Sequence, residues 1–254
     1  MSIIRRIIPI IILLALVLTM LTSFSQVTVQ TDNGGVSDKP ITPLNRVEYV
    51  PKDAKLINAP YINQLEDYPN GCEAVSAVMA LNYLGVDVSV DDFIDKYLDM
   101  GDTPKPSKGK GPDPDKVYCG DPRSDKGWGC NSPVIVNALN KFINTDEYVI
   151  EHSYGKGLQD LCYDYIDRDI PVIVWVTVGM QDSEAEENWH SWVTEEGRAV
   201  SYNRKLHCML LCGYDGDNYY FNDPMTNALK AYPKAQTEKA YSILGMQSVI
   251  IIRN

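Results

Sequence analysis

Apolar positions change their spacing several times along the chain. The segment AVSAVMALNYLG is apolar along most of a short helix and ends at Gly85, a residue that commonly follows helix C-termini. A second helix is predicted to begin after Ser89, because its hydroxyl can cap the first turn and Asp92 follows three residues later. Two more helices are predicted further along, one with Ser132 as its N-cap and one over residues 158–166.

Strand-like patterns dominate after residue 171. PVIVWVTV is typical of a buried strand, and LHCMLLCGYDGDNYYFNDP predicts two strands joined by a tight Asp-Gly-Asp-Asn turn. LKAYP and QSVIIIRN predict further strands, with the short helix AQTEKAYSILG between them. Residues 101–129 are rich in Pro, Gly, Lys and Asp and predict a long surface loop. Because helices come first and antiparallel strands later, the predicted fold class is α+β.

The N-terminus predicts export. The basic segment MSIIRR precedes an uncharged apolar run over residues 7–24, whose length lies between a secretory signal core and a spanning helix. Residues 1–25 are therefore interpreted as a signal peptide or an N-terminal membrane anchor. Residues 26–52 are polar and predict a flexible linker to one domain over 53–254. We expect an extracytoplasmic protein that is secreted or that touches the membrane only through its N-terminal segment.

Charge and composition exclude some classes of partner. A hydrophobic fraction of 44% and a charged fraction of 22% are ordinary for a globular protein. The net charge of −11 argues against nucleic acid, whose phosphates require clustered Lys and Arg. The sequence contains no close CxxC or HxxxH pair, and the acidic turn DGDNYYFND lacks the glycine and glutamate that a calcium loop needs. We therefore predict no metal and no cofactor.

Candidate chemistry begins at Cys72. This cysteine follows Asn70-Gly71, where a polar loop turns into the first predicted helix. Free backbone N–H groups and the helix dipole at such a position favour a thiolate over a thiol. A thiolate nucleophile also needs a histidine that holds its proton and a donor for the oxyanion.

His207 and Asp223 are the predicted partners of this nucleophile. His207 lies on the first strand of the predicted hairpin, and Asp223 ends the returning strand. Both lie at comparable distances from the turn near Gly216, so strand pairing would bring the carboxylate beside the imidazole. That is the orienting role of the third member of a catalytic triad.

Gln64 is the predicted oxyanion donor. It precedes Cys72 by eight residues, within loop reach of the helix start, and its amide could act together with the Cys72 backbone N–H. The other two histidines have weaker cases: His190 lies in a polar loop, and no pattern places a partner beside His152.

The remaining cysteines are interpreted as structural. Cys119 and Cys130 bracket a ten-residue part of the long loop, and a disulfide between them is predicted. Cys208 and Cys212 share one face of a strand, but four residues of strand separate their Cα atoms by roughly 13 Å, which is too far for a disulfide. Both are predicted to be core thiols, as is Cys162.

Four features follow one another along the chain: Gln64, GCEAVSAVMALNY, LHCMLLCGY and FNDP. Their order resembles that in the C39-like cysteine peptidases, a branch of the papain-like superfamily. The match runs from about residue 55 to the C-terminus. The usual pattern often has Asp before the cysteine and Gly-Pro after it, whereas Gly71 and Glu73-Ala74 stand here. These neighbours fit the stand-alone branch of the family better than the transporter-fused one.

The resemblance implies a papain-like fold, with an N-terminal helical part packed on an antiparallel sheet, and a peptide or protein substrate. It also implies four roles: Cys72 as nucleophile, His207 as base and acid, Asp223 as orienting residue and Gln64 in the oxyanion hole.

Three functions remain open from the residues alone. The chain could hydrolyse peptide bonds through an acyl-enzyme, or pass the same acyl group to an amine as an acyl transferase. It could instead be a non-catalytic surface module that binds peptides. Trp189 and Trp192, in the predicted loop before His207, are interpreted equally as a wall of the substrate cleft or as a lid packed on the sheet.

Overall fold

A computed structural model describes residues 52–254 of the chain. The predicted signal peptide or anchor over residues 1–25 and nearly all of the predicted linker over 26–52 lie outside the described residues. Within the described part, no helix is long and apolar enough to cross a membrane. The helices of this part are α1 (Cys72–Tyr83), α2 (Val90–Tyr97), α3 (Ser132–Phe142), α4 (Leu158–Asp164) and α5 (Lys234–Ile243).

Eleven strands accompany these helices in the described residues. They are β1 (Lys55–Leu56), β2 (Met100–Gly101), β3 (Tyr118–Cys119), β4 (Tyr148–Tyr154), β5 (Val172–Thr177), β6 (Trp189–Val193), β7 (Ala199–Asn203), β8 (Leu206–Tyr214), β9 (Asn218–Asn222), β10 (Lys230–Pro233) and β11 (Gln247–Arg253).

The main sheet is antiparallel and has seven strands. Its order is β10-β9-β8-β5-β11-β4, and β1 pairs with β8 beside this series. Strands β5 and β8 are central and buried along nearly their whole length, as their apolar sequences predict. Two small sheets lie outside it: β2 pairs with β3 in parallel, and β6 pairs with β7 as an antiparallel hairpin. The fold is therefore α+β, as predicted.

Helix α1 is the buried helix of the domain. Every residue from Cys72 to Leu81 is buried, and the helix packs against β8, where the Ser76 hydroxyl donates to the Cys208 carbonyl at 3.2 Å. Helix α2 is amphipathic instead and begins as predicted, because the Ser89 side chain accepts a hydrogen bond from the Asp92 backbone N–H. The apolar helix thus carries the N-terminus of α1, and with it Cys72, into the interior.

The structure corrects several local predictions. The N-cap of α3 is Asn131, and Ser132 is its first helical residue. The segment over 101–129 is not only a surface loop, because Tyr118 and Cys119 form β3 and are fully buried. Residues 189–193, at the end of the predicted polar loop, form β6 instead, because they pair with β7 in antiparallel register.

The predicted disulfide between Cys119 and Cys130 is wrong for this structure. Both cysteines are free and buried. Cys119 pairs across the loop with Gly129, one residue before Cys130. Because side chains of successive residues in extended backbone point to opposite sides, this register turns the two sulfurs away from each other. The core placement of Cys162, Cys208 and Cys212 is confirmed: all three are free and fully buried.

Candidate active site

A cleft opens where the N-terminus of α1 meets the first residues of β8. Its volume is about 360 Å³. Gln64, Cys72 and His207 all line it, so the fold brings three of the four predicted site residues to one cavity. The fourth, Asp223, lies behind His207 and is hydrogen-bonded to it.

The start of α1 explains why glycine precedes Cys72. The Gly71 N–H donates to the Tyr68 carbonyl at 2.8 Å, which closes a tight turn against the helix start. A Cβ at position 71 would lie only 2.7 Å from the Tyr68 Cβ, so any other residue would displace this turn. Gly71 also offers no side chain to cap the first turn of the helix.

The environment of the thiol contradicts one prediction. Burial raises the pKa of Cys72 well above its usual range, and the negative charges that Glu73 and Cys208 carry when ionised add to this effect. The Cys72 thiol donates from Sγ to Glu73 Oε2 at 3.2 Å. The expectation that the helix start alone favours a thiolate is thus wrong for the free protein, because desolvation and a neighbouring carboxyl oppose it.

Asp223 is held as a carboxylate by four hydrogen-bond donors. Oδ1 accepts from His207 Nε2 at 2.8 Å and from the Met225 N–H at 3.0 Å. Oδ2 accepts from the Thr226 hydroxyl at 3.0 Å and from the Tyr232 hydroxyl at 2.6 Å. Burial by itself acts to raise the pKa of Asp223, but the bonds and charge from His207, with those from Tyr232 and Met225, outweigh it and lower the pKa to about 2.

Strand register accounts for the contact between His207 and Asp223. In the β8–β9 hairpin Leu210 lies opposite Asn222, so Asp223 follows the last paired residue of β9. His207 is then a diagonal neighbour, within reach of a long side chain. The bond to Asp223 occupies Nε2 of the ring and leaves Nδ1 as the nitrogen that can serve the cleft.

Gln64 is anchored on both sides. Its backbone N–H donates to the Pro224 carbonyl at 3.0 Å, directly beside Asp223, and its side-chain Nε2 donates to the Pro69 carbonyl at 3.1 Å. The side chain is 1% exposed. One N–H of the amide is thus used to hold the loop, and the second remains for a group in the cleft.

Several cleft residues were not predicted. Trp128 lines the cleft, whereas Trp189 and Trp192 do not. Trp192 is 3% exposed and donates to the Pro112 carbonyl at 2.8 Å, so it packs against the loop over residues 101–129. The Tyr202 hydroxyl donates to the Trp128 carbonyl at 2.8 Å and holds that residue at the cleft. Only the isolated tryptophan in GDPRSDKGWG could have signalled this role.

Of the other two histidines, one lines the cleft and the other does not. His190 lies on β6 and lines the cleft, with its ring centroid 5.0 Å from that of Trp128. His152 lies on β4 and does not line the cleft, and its Nε2 is 2.7 Å from the Ser132 hydroxyl. Among residues 52–254 no group of three or more His, Cys, Asp or Glu side chains is placed to hold a metal ion.

The helical part packed on an antiparallel sheet, with cysteine on a helix N-terminus and histidine on a facing strand, is the papain-like arrangement. The model of the Peptidase_C39 like family matches residues 56–249, and the chain belongs to this family.

Two similar proteins cover most of the chain. The uncharacterized protein YvpB of Bacillus subtilis (strain 168) is 27% identical over 201 residues, which are 78% of this chain and 76% of that protein. The crystal structure of a Bacillus anthracis protein assigned as a C39-like peptidase superposes with a TM-score of 0.69 at 24% identity, over 79% of this chain and 98% of that one. The second comparison confirms the fold.

A more distant match is a double glycine motif protease from an AMS/PCAT transporter, solved in complex with the leader peptide. Its TM-score is 0.43 at 16% identity, over 78% of this chain and 93% of that one. The family match supports a peptidase-type function.

Proposed function

We propose that this chain is an extracytoplasmic cysteine peptidase that hydrolyses peptide bonds through Cys72, His207 and Asp223. The observation that carries the proposal is the buried bond between His207 Nε2 and Asp223 Oδ1, in a cleft that Cys72 also lines. An ionised carboxylate behind a histidine fixes the ring orientation and stabilises the imidazolium. This arrangement supplies a base for a thiol that is not ionised on its own.

The first step is attack on the substrate carbonyl. The Cys72 thiol gives its proton to His207 Nδ1, and Sγ bonds to the carbonyl carbon of the scissile peptide. The carbonyl oxygen becomes an oxyanion, which accepts hydrogen bonds from the Cys72 backbone N–H and from the free N–H of Gln64. Loss of one such donor typically costs 10²- to 10³-fold in rate, so Gln64→Ala is expected to lower kcat by about 10²-fold.

The intermediate then breaks down in two stages. The imidazolium donates its proton to the leaving amine nitrogen, the C–N bond breaks, and a thioester remains on Cys72. Water replaces the amine, gives a proton to His207 and attacks the thioester carbonyl. The C–S bond breaks, the acid product leaves, and the thiol is restored.

The cleft walls suit a peptide substrate. Trp128, His190 and Tyr202 form an aromatic side, which can pack against a substrate backbone or an apolar side chain. Arg204 also lines the cleft and its side chain is exposed.

The test uses the full-length protein and a mixture of unmodified peptides of broad sequence, with cleavage products identified by mass spectrometry. The wild type is expected to produce new termini, whereas Cys72→Ala and His207→Ala produce none above background. His152→Ala is the matched control, because it removes a histidine outside the cleft and is expected to retain cleavage.

Other outcomes favour the competing functions. Peptide binding without cleavage in the wild type, unchanged in Cys72→Ala, would identify a binding module. Products that carry an added amine, formed only when amines are supplied, would identify an acyl transferase. Cleavage that persists in Cys72→Ala would contradict the proposed nucleophile.

The extracytoplasmic location rests on the basic segment and apolar run of residues 1–24. Expression of the full chain is expected to deliver the domain outside the cytoplasm, where added protease can reach it in intact cells. Recovery of the untruncated protein from the cytoplasm, protected from added protease, would contradict this part of the proposal.

A further inference from the structure

A second buried carboxyl group lies beside the nucleophile and has no part in the proposed triad. Glu73 is fully buried in the first turn of α1. Its Oε2 accepts from Cys72 Sγ at 3.2 Å, and its Oε1 accepts from the Cys130 backbone N–H at 2.7 Å. A glutamate in the first turn of a helix ordinarily stays in water, where it complements the helix dipole. Complete burial in contact with the reactive sulfur therefore points to another role.

Within residues 52–254, the titratable groups that interact electrostatically with this carboxyl carry no positive charge. Among the described residues, the titratable groups that face it are thiols and phenols, which are neutral when protonated and negative when ionised. They come from α1, β3, the loop before α3, β7 and β8, and are Cys72, Tyr118, Cys119, Cys130, Tyr202 and Cys208. A carboxylate in this position has only weak and backbone donors to offset its desolvation.

The backbone around Glu73 is shaped to admit it. Gly129 has a φ of 125°, a conformation that L side chains rarely adopt. A Cβ at position 129 would overlap Glu73 Oε1 and would lie 2.8 Å from the Tyr202 hydroxyl. The next residue, Cys130, is fixed by its amide on Glu73 and by its carbonyl, which accepts from Trp175 Nε1 at 2.8 Å. The carboxyl thus joins the nucleophile to the loop that carries Trp128.

Protonation of Glu73 changes near neutral pH. Burial raises its pKa to about 7, although the bonds from the Cys130 amide, its own amide and the Cys72 thiol act in the opposite direction. When ionised, Glu73 repels a thiolate 3.2 Å away and accepts the thiol proton. When neutral, it can donate its O–H to the same sulfur as a thiolate, which favours ionisation of Cys72.

We propose that Glu73 is a positioning residue that controls when Cys72 can ionise: the neutral carboxyl supports the thiolate, and the carboxylate holds Cys72 as a thiol. This inference rests on the proposed function, in which Cys72 is the nucleophile. As the pH rises, the Glu73 proton leaves for solvent, and Cys72 then shares its own proton with Oε2 instead of giving it to His207. Ionisation of Glu73 as the pH rises through about 7 therefore opposes ionisation of Cys72.

Glu73→Gln is the variant that isolates this effect. Glutamine has the same shape, can accept from the Cys130 amide and can donate to the sulfur, but it cannot ionise. The experiment measures the rate of Cys72 alkylation by iodoacetamide between about pH 5 and pH 9, read from the Cys72 peptide by mass spectrometry. It is carried out on the full-length wild type, on Glu73→Gln and on each with His207→Ala. Glu186→Gln is the matched control, because that side chain is exposed.

The expected result is a change in the shape of the pH profile. With a carboxyl that titrates near pH 7, the variant is expected to exceed the wild type by about tenfold at pH 8 relative to their ratio at pH 6. Glu186→Gln is expected to follow the wild type. A merely structural Glu73 would change the rate at all pH values alike and leave the profile in place.

Failure of this inference and failure of the proposed function are distinguishable. If alkylation depends on His207 but Glu73→Gln and wild type show the same profile, the inference is overturned and the proposed function stands. If Cys72 reacts equally fast with and without His207, the proposed function fails.

A second measurement covers the case in which Glu73→Gln does not fold. Carbon-13 NMR of labelled glutamate carboxyls in the wild type is expected to show one carboxyl that titrates near pH 7. Its midpoint should rise in Cys72→Ala, because the thiol donor that favours the carboxylate is removed. Titration of every glutamate near the ordinary value would overturn the inference.

Discussion

Two buried carboxyl groups flank the candidate site, and their environments differ sharply. Asp223, behind His207, is 2% exposed, accepts four hydrogen bonds and has its pKa lowered to about 2. Glu73, beside Cys72, is fully buried, accepts bonds from two backbone amides and a thiol, and has its pKa raised to about 7. Both side chains are shielded from solvent, but Asp223 also has the charge of His207 and stronger donors to oppose its desolvation, so it stays charged.

The two groups also give opposite pH dependence of stability. The pKa of Asp223 is lower in the folded protein, so its contribution is present above pH 3.8 and is lost as the pH falls through about 2. The pKa of Glu73 is higher in the folded protein, so its contribution is present below pH 4.5 and is lost as the pH rises through about 7. Asp223 therefore stays ionised near neutral pH, whereas Glu73 gains or loses its proton there.

The largest expected effect comes from removal of the charged side. Asp223→Ala leaves His207 Nε2 without its acceptor, so the ring loses both its orientation and the charge that stabilises the imidazolium. A fall in kcat of about 10³-fold is expected, with a smaller change in KM. Steady-state kinetics on a cleaved peptide measures this loss.

Asp223→Asn serves as the comparison for that variant. Its side-chain oxygen can still accept from His207, so orientation is retained while the charge is lost, and it should keep more activity than Asp223→Ala. Equal activity of the wild type and Asp223→Ala, with both folded, would remove Asp223 from the account.

The next effect concerns the stability that the folded protein loses when the buried Glu73 ionises. Glu73→Gln removes a group whose pKa rises from 4.5 to about 7 on folding, so the variant should be more stable than the wild type at pH 8 by about 3 kcal/mol. The difference should shrink toward zero near pH 4, where the glutamate is neutral in both states. Denaturant unfolding at several pH values measures it, and a difference that does not vary with pH would show that Glu73 does not titrate as described.

The smallest expected effect tests one donor of the charged side. Tyr232→Phe removes the 2.6 Å bond from the Tyr232 hydroxyl to Asp223 Oδ2 and should cost about 1 to 2 kcal/mol of stability at pH 7. It should also raise the pKa of Asp223, so that acid unfolding begins at higher pH than in the wild type. An unchanged acid transition in Tyr232→Phe would mean that the remaining donors suffice to hold the charge.

Much of the site's framework follows from local sequence. The apolar run after Cys72 predicts α1, and the Asp-Gly-Asp-Asn turn predicts the hairpin, because both are short-range signals with a definite period or turn chemistry. The hairpin alone places His207 and Asp223 near each other. These elements need no information from the rest of the chain.

The protonation states could not be predicted in this way. A glutamate in a first helical turn looks solvent-exposed in the sequence, and only the packing of β3, β7 and the loop before α3 buries Glu73. The same packing raises the pKa of Cys72, against the expectation from the helix dipole. Trp128 reaches the cleft through the hydrogen bond from Tyr202 to its carbonyl, which joins parts of the chain 74 residues apart. Such long-range contacts leave no local pattern.

The most direct test of the central claim is to capture the acyl group on Cys72. The full-length wild type is mixed with a reactive p-nitrophenyl ester of an acylated amino acid, and the intact mass and modified peptide are followed with time. The account predicts one acyl group per molecule, on Cys72, that forms at least about 10²-fold more slowly in His207→Ala and is absent in Cys72→Ala. Acylation spread over several residues, or on Cys72 at the same rate without His207, would contradict it.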